Sequence, residues 1–142
     1  MSRLLVLDTD HLSSFGYPSV ASERLGARLA ASNQDVATTA VCCDEQLSGV
    51  LAAIHRVTDP FRQIIAYGEL VERIDFLAGF TLLPWEQDSA QRFVQFRKDR
   101  VRCGTMDLKI ACITLAHDAT LLTRNTSDFA QVPGLRFENW LD

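Results

Sequence analysis

Near its beginning the chain reads Arg3-Leu4-Leu5-Val6-Leu7-Asp8-Thr9, a short continuous apolar run that meets an acid at its end. Runs of this kind form strands that are buried on both faces, as in a parallel sheet. We therefore predict that this segment is the first and central strand of a sheet. Asp8 then lies where that strand ends.

Strand-like and helical patterns alternate along the rest of the chain. Short apolar runs typical of strands occur at 35–39, 81–84, 119–123 and 135–137, and helical spacing occurs over 19–31, 41–57, 60–78, 89–101 and 106–116. Ser19, Asp59 and Thr105 stand where helix caps belong, and 125–128 is typical of a turn. The alternation predicts an α/β fold with three layers, helices on both faces of a mainly parallel sheet of about five strands, in one domain over 1–142.

Composition limits the function classes. The 142 residues are 47% hydrophobic and 23% charged, an ordinary globular mixture, and no apolar run approaches the roughly 20 residues of a membrane helix. Asp8 comes too early for a signal peptide, so we expect a cytoplasmic protein without membrane contact. The four cysteines lack CxxC spacing and are expected to be reduced. A net charge of -4 means that any nucleic-acid binding must use a local patch.

Acidic and amide residues follow the strands or begin the helices that come after them. Asp8 follows the first strand, Asn125 and Asp128 follow the run at 119–123, and Glu45 and Asp107 lie near helix starts. Ligands of open parallel sheets bind at the carboxyl ends of the strands, so one cluster is expected to hold all five residues. Carboxylates forced together repel, and a hard cation such as Mg²⁺ or Mn²⁺ resolves the conflict. Such a site suits phosphate-ester hydrolysis.

Four motifs in order carry a family resemblance. They are Leu7-Asp8-Thr9-Asp10, Glu45-Gln46-Leu47-Ser48-Gly49, Asp107-Leu108-Lys109-Ile110-Ala111 and the stretch 122–129, Leu-Thr-Arg-Asn-Thr-Ser-Asp-Phe. Together they resemble PIN-domain ribonucleases, specifically the VapC-type toxins of bacterial toxin–antitoxin systems, over nearly the whole chain.

The resemblance implies a PIN-like fold and a Mg²⁺-dependent endoribonuclease, with Mn²⁺ as the alternative ion. Asp8, Glu45 and Asp107 occupy the positions of the family's first three acids. The fourth position, often Asp in the family, is Asn125 here, and Asp128 matches a further acid. Either Asn125, through its carbonyl oxygen, or Asp128 then completes the site. The resemblance also implies an RNA substrate, a homodimer and a cognate antitoxin that covers the groove.

Each of these acids also has a purely structural interpretation. Asp8 suits the start of a turn, Asp107 suits the positive end of a helix, and Glu45 suits an exposed helix surface. We interpret Asp10 as a helix cap beside the site rather than a ligand. His11 is a candidate for supporting the site or for binding substrate, but since no nucleophile–base pairing is visible we favour a structural residue next to that cap.

The remaining candidates concern substrate and partners. Thr9 and Thr123 are candidates for contacts with phosphate, and a basic run that includes Arg102, together with Lys109 and Arg124, is the candidate phosphate-binding patch. A solvated helix face is the alternative for the basic run. The paired helices over 41–79 carry more apolar residues than one packing face requires, which indicates either an interface or a well-covered core.

Two other functions compete with a nuclease. Asp8-Thr9-Asp10 also resembles the start of haloacid-dehalogenase-like phosphatases, in which the first Asp is a nucleophile, although His11-Leu12 departs from that pattern. Asn125 in place of an acid leaves room for a catalytically silent PIN-like binding module. A silent module would not bind the cation, and a phosphatase would form a phospho-aspartate.

Overall fold

A computed structural model of the protein describes residues 3–16 and 18–142. In chain order the elements of this part are β1 (Leu5–Leu7), α1 (Thr9–Ser14), α2 (Val20–Ser32), β2 (Val36–Thr39), α3 (Ala40–His55), α4 (Gln63–Ala78), β3 (Thr81–Leu83), α5 (Gln87–Lys98), α6 (Thr105–Ala116), β4 (Thr120–Leu122), α7 (Thr126–Phe129) and β5 (Arg136–Glu138).

The strands form one parallel sheet in the order β3-β2-β1-β4-β5. β1 is central, as predicted, with Leu5 in register with Val36 on one side and Thr120 on the other. All three side chains of β1 and of β4 are buried, because helices flank the sheet. The predicted α/β fold with a five-stranded parallel sheet is confirmed.

The strand order creates a crevice between β1 and β4. The chain moves outward from β1 to β2 and β3, then crosses back over the sheet to place β4 on the other side of β1. Connections leave the carboxyl ends of β1 and β4 in opposite directions, and such switch points are where open α/β sheets bind ligands. The crevice therefore opens directly beside Asp8.

Helix α6 is the most deeply buried helix and presents Asp107 at this edge. Leu108, Ile110, Ala111, Cys112 and Ile113 are all fully buried, so the helix is covered on most of its circumference. Its packing is incompatible with a large rotation about its own axis. Asp107, in the first turn, is consequently held by a rigid element.

Four local predictions differ from the structure. Residues 9–14 form α1, a helix for which no range was predicted although Asp10 was interpreted as a cap, and Asp8 rather than Asp10 is its N-cap. Asp59 does not cap α4; its carboxylate accepts the Phe61 N–H at 2.9 Å in a turn, and the helix begins at Gln63. Thr105 is the first residue of α6 and Gly104 is its N-cap; the Thr105 hydroxyl accepts a hydrogen bond from Arg97. The predicted turn at 125–128 contains the four-residue α7.

Within the described ranges, no helix combines the length and the apolar character that crossing a membrane requires.

Candidate active site

Asp8 is the best-ordered acid of the site, because both of its carboxylate oxygens accept hydrogen bonds. Oδ1 accepts the Thr9 backbone N–H at 2.8 Å, and Oδ2 accepts the Thr123 hydroxyl at 2.7 Å. The Asp8 backbone N–H also donates to the Leu122 carbonyl, which extends the pairing of β1 with β4 by one residue. Asp8 is only 5% exposed. Its carboxylate is thus fixed at the head of the crevice.

Glu45 reaches this position from α3. Thr39 caps α3 by accepting the Cys42 N–H at 3.0 Å, which sets the helix at the carboxyl end of β2. The Thr9 hydroxyl then donates to Glu45 Oε1 at 3.4 Å. Thr9, a predicted substrate contact, therefore connects the two acids: its backbone N–H donates to Asp8 and its hydroxyl donates to Glu45.

Asp107, Asn125 and Asp128 form the other side of the site. The Asn125 amide Nδ2 donates to Asp107 Oδ2 at 3.0 Å and to Asp128 Oδ2 at 2.9 Å. The Asn125 backbone N–H donates to the Thr123 hydroxyl at 3.0 Å, and that hydroxyl in turn donates to Asp8. One amide group thus bridges two carboxylates that would otherwise repel each other.

The electrostatics of the site are those of an uncompensated acidic cluster. Burial, and then the negative charges of Asp10 and Asp107, raise the pKa of Asp8 to about 6 against the hydrogen bonds from Thr123 and Thr9 that lower it. Burial followed by the charges of Asp8 and Asp107 raises the pKa of Glu45. The pKa values of Asp8 and Glu45 therefore both respond to the charge of Asp107.

The same influence reaches the two groups on the far side of the site. Burial, and then the charges of Asp128 and Asp10, raise the pKa of Asp107 against the Asn125 hydrogen bond that lowers it. Burial followed by Asp107 and Asp128 raises the pKa of the Cys103 thiol to about 11. A thiol with so high a pKa is neutral and adds no nucleophile to the site.

No basic side chain balances this charge. In the part of the chain that the structure describes, no Lys, Arg or His side chain forms an ion pair with Asp8, Glu45, Asp107 or Asp128. Nor do three or more His, Cys, Asp or Glu side chains of residues 3–16 and 18–142 form a group that could hold a metal ion as they stand. The acids share one edge and one electrostatic environment, but not a closed ligand cage.

The predicted basic contacts lie around the site rather than in it. The Arg124 guanidinium donates to both carboxylate oxygens of Asp142 at 3.2 Å, although its backbone N–H reaches Asp10. The Lys109 ammonium lies 5.8 Å from the centroid of the Trp85 ring. Arg102 is exposed on the segment that leads into α6. Thr9 and Thr123 are the predicted substrate contacts that the fold brings to the carboxylates.

The role of Asp10 was wrongly interpreted, and the contact between His11 and Trp140 was missed. Asp10 does not cap a helix; its carboxylate bridges His11 and the Arg124 backbone N–H at 2.6 and 2.9 Å. Trp140 donates its backbone N–H to His11 Nε2 at 3.1 Å, from 129 positions away. The Asp-His pair was visible in the sequence, but nothing in it indicated these distant partners.

Solved structures define the class of the fold. VapBC-1 from nontypeable Haemophilus influenzae matches with a TM-score of 0.65 and 21% identity, over 98% of this chain and 99% of that one. FitAcB from Neisseria gonorrhoeae matches with a TM-score of 0.69 and 22% identity, over 96% of this chain and 97% of that one. A toxin–antitoxin complex from Klebsiella pneumoniae matches with a TM-score of 0.66 and 23% identity, over 92% of this chain and 94% of that one. The architecture is that of the PIN-domain VapC structures, as predicted.

Sequence relatives define the family. Ribonuclease VapC of Rickettsia bellii (strain RML369-C) is 31% identical over 94 residues, 63% of this chain and 67% of the relative. Ribonuclease VapC1 of Rickettsia felis (strain ATCC VR-1525 / URRWXCal2) is 30% identical over 95 residues, with the same coverage. No family model matches the sequence. The chain belongs to the VapC ribonuclease family.

Proposed function

We propose that this protein is a VapC-type toxin, an endoribonuclease that hydrolyses RNA phosphodiester bonds with a divalent cation and is neutralised by a cognate antitoxin. The observation that carries the proposal is the buried Asp8 carboxylate, whose pKa burial and the charges of Asp10 and Asp107 raise, and which has no basic partner among the residues that the structure describes. The relatives named ribonuclease VapC and the similar toxin–antitoxin complex support the activity and the partner.

The donor chemistry of the site fits Mg²⁺ or Mn²⁺. The available groups are carboxylate and amide oxygens, which these hard ions prefer; both nitrogens of His11 are engaged by other groups, and the Cys103 thiol is neutral. Asp8, Glu45 and Asp107 would hold the ion, with Asn125 or Asp128 as the further ligand. When bound, the ion supplies Lewis-acid activation of water and neutralises charge at the phosphate.

The protein residues have roles that follow from their own contacts. Thr123 and the Thr9 N–H keep Asp8 oriented, so its carboxylate does not have to reorganise during the reaction. Asn125 holds Asp107 and Asp128 together while adding no charge. Because its amide nitrogen faces the two acids, its carbonyl oxygen is the atom with which it would contact an ion or a water. Asp128 is the carboxylate that would complete the site if Asn125 does not.

RNA needs a basic surface near this acidic edge, because the protein as a whole repels phosphate. We assign this role to exposed Arg102 and to Lys109, which lies against Trp85 at the end of β3. The Thr9 hydroxyl lies beside Glu45 and would contact the scissile phosphate group. The Thr123 hydroxyl is buried and is engaged by Asp8 and by the Asn125 N–H, so we assign it to the support of Asp8 and not to substrate. Arg124 is the least suitable of the predicted contacts, since Asp142 occupies its guanidinium.

The candidate partner surface is the outer face of α4 and the turn before it. Phe61 is 80% exposed, and Ile65, Ile64 and Val71 are each about two-thirds exposed or more. A contiguous apolar surface of this kind is unfavourable in water and marks an interface. We propose that it contributes to the homodimer or to the antitoxin contact, in agreement with the predicted surplus of apolar residues over 41–79.

The experiment that tests the proposal is RNA cleavage by the purified protein with Mg²⁺ or Mn²⁺, and then with EDTA. Asp8→Asn, Glu45→Gln and Asp107→Asn are expected to abolish cleavage, and EDTA is expected to stop it. Asp44→Asn is the matched control, because Asp44 neighbours Glu45 in α3 but is exposed and bonded to Ser48. Cleavage that survives EDTA and Asp8→Asn would reject the mechanism.

The rival functions give different results in the same experiment. A catalytically silent module, which the presence of Asn125 at the family's fourth acidic position suggests, would neither cleave RNA nor bind Mn²⁺ in calorimetry. A phosphatase would form a phospho-aspartate at Asp8, which is detectable by mass spectrometry after borohydride reduction. The nuclease predicts cation binding and no covalent adduct.

A further inference from the structure

His11 is a fully buried polar residue whose two ring nitrogens both have partners. Its side chain is 0% exposed, Nδ1 lies 2.6 Å from Asp10 Oδ1, and Nε2 accepts the Trp140 backbone N–H at 3.1 Å. A backbone N–H is only a donor, so Nε2 must be the unprotonated nitrogen. Nδ1 therefore carries the proton and donates a hydrogen bond to Asp10 Oδ1.

This geometry excludes His11 from direct chemistry. A ring with no exposed surface and both nitrogens engaged can neither contact substrate nor exchange a proton with water. The Asp10-His11 pair therefore acts on other protein groups.

Asp10 transmits the contact to the active site. Its second oxygen, Oδ2, accepts the Arg124 backbone N–H at 2.9 Å. Arg124 lies between Thr123, whose hydroxyl holds Asp8, and Asn125, whose amide bridges Asp107 and Asp128. The position of this one peptide unit thus sets the position of both neighbouring side chains.

The segment after β5 makes a second connection to the same residue. The Arg124 guanidinium donates to both oxygens of Asp142, and Asn139 accepts the Asp142 N–H while its own amide donates to the Asp142 carboxylate at 2.8 Å. Trp140, two residues earlier, is held by Arg28 of α2, whose guanidinium lies 4.1 Å from the ring centroid. The connections form a closed ring: Asp10 to His11, on to Trp140 and Asp142, and back through Arg124.

We propose that Asp10 and His11 are positioning residues and that residues 139–142 form a brace. Through Arg124 the brace holds the segment 123–128 against Asp8. Arg124 in this arrangement is a structural member of the brace and not a phosphate contact. The inference rests on the proposed function for its kinetic readout, but its structural readouts are independent of activity.

The first test is structural and uses the full-length protein without added metal. Long-range proton–nitrogen NMR is expected to show His11 protonated on Nδ1 alone at pH 7.5. Asp10→Asn and His11→Gln are expected to increase amide hydrogen exchange at Arg124 at least about tenfold, which corresponds to the loss of one well-formed hydrogen bond. His11 protonated on Nε2, or unchanged exchange at Arg124 in a folded Asp10→Asn protein, would overturn the proposal.

The second test uses exposed variants that do not threaten folding. Asp142→Asn and Arg124→Gln break the same ion pair, and Asp118→Asn breaks the exposed Asp118–Arg136 pair elsewhere on the molecule as the matched control. If Arg124 is a brace residue, both variants lower kcat by a similar factor with little change in KM for RNA, and the double variant is no worse than either single variant. Asp118→Asn leaves both constants unchanged.

The opposite pattern would support a phosphate contact instead. If Arg124 binds RNA, Asp142→Asn frees the guanidinium and removes a negative charge, so KM falls, whereas Arg124→Gln raises KM. That divergence would overturn the brace.

Mn²⁺ affinity separates failure of the brace from failure of the nuclease proposal. Asp10→Asn is expected to weaken Mn²⁺ binding about tenfold, as for other residues that orient ligands. An inactive wild-type protein in which exchange at Arg124 and Mn²⁺ affinity still respond to Asp10→Asn would reject the nuclease and retain the brace. An active wild-type protein in which Asp10→Asn changes neither the exchange at Arg124 nor the Mn²⁺ affinity would retain the nuclease and reject the brace.

Discussion

Replacing the central carboxylate is expected to stabilise the metal-free protein. Asp8 has a pKa of about 6 in the folded state against an ordinary value of 3.8. The folded protein therefore binds the Asp8 proton more tightly than the unfolded chain does. The resulting stabilisation is complete below about pH 4 and is lost as the pH rises through about 6. At pH 8 the charged Asp8 makes the fold less stable than it would be with a neutral side chain.

The magnitude follows from the two pKa values. A difference of about two pH units at about 1.4 kcal/mol each gives about 3 kcal/mol. In Asp8→Asn the carboxamide oxygen still accepts the Thr9 N–H, but Thr123 must reverse its hydrogen bond, which costs about 1 kcal/mol. A net gain of about 2 kcal/mol in the free energy of unfolding is expected at pH 8, or a shift of about 1 M in the urea midpoint.

The assay is urea unfolding with EDTA at pH 5 and pH 8, for the wild type, Asp8→Asn and the control Asp44→Asn. The wild type is expected to be more stable at pH 5 than at pH 8, and burial of Glu45 and Asp107 acts in the same direction. Asp8→Asn is expected to reduce that difference and to exceed the wild type at pH 8. An Asp8→Asn protein that is less stable than the wild type at pH 8, with an unchanged pH dependence, would refute the reasoning.

Three other perturbations test the site, its support and its surroundings. Mn²⁺ at about 100 times its Kd should raise the free energy of unfolding at pH 8 by about 2.7 kcal/mol, measured by urea unfolding, and EDTA should reverse the gain; no increase would contradict a cation site. Thr123→Val removes a hydroxyl that donates to Asp8 and accepts the Asn125 N–H, so it should lower the free energy of unfolding by about 1–3 kcal/mol. It should also move the pKa of Asp8 further upward in a carboxyl-carbon NMR titration. Thr123→Ser should restore both properties, and an unmoved pKa would show that this bond does not orient Asp8. Ile65→Glu on exposed α4 should change the unfolding free energy by less than about 0.5 kcal/mol but weaken self-association in sedimentation; a loss typical of a core residue would contradict its exposed position.

The fold was predictable because its main elements have local signatures. The continuous apolar runs at β1 and β4 indicate strands buried on two faces, and Ser19 caps α2 as predicted through a reciprocal pair of hydrogen bonds with Ser22. The elements that were missed, α1 and α7, have six and four residues. Helices of that length cannot display an amphipathic repeat, so hydrophobic periodicity does not detect them.

The acids of the site were predictable for a topological reason. Parallel strands place all their carboxyl ends at one edge, so residues that follow strands share that edge whatever their distance in sequence. This placed Asp8, Asn125 and Asp128 together, and the resemblance selected Glu45 and Asp107. The metal and substrate roles of these residues remain predictions.

The partners of the basic residues were not predictable. The sequence shows that Arg124 is positive, but not that Asp142 occupies it, because the pair depends on how the segment after β5 folds back. The bond from Asp10 to the Arg124 backbone spans 114 positions and has no local signature. Contacts of this kind become visible only in three dimensions.

The order of strands also governs when during synthesis the cluster of acids around Asp8 comes into existence. β1 is made first, yet one of its two neighbours in the sheet is β4, and the hydroxyl that fixes Asp8 is contributed 115 residues later. A nascent chain that has emerged only as far as α5 lacks β4, the helix bearing Asp107 and the amide of Asn125. Pairings so distant in sequence form late in folding. A chain still on the ribosome would therefore bring the residues of this acidic cluster together only after β4 and α7 have left the exit tunnel.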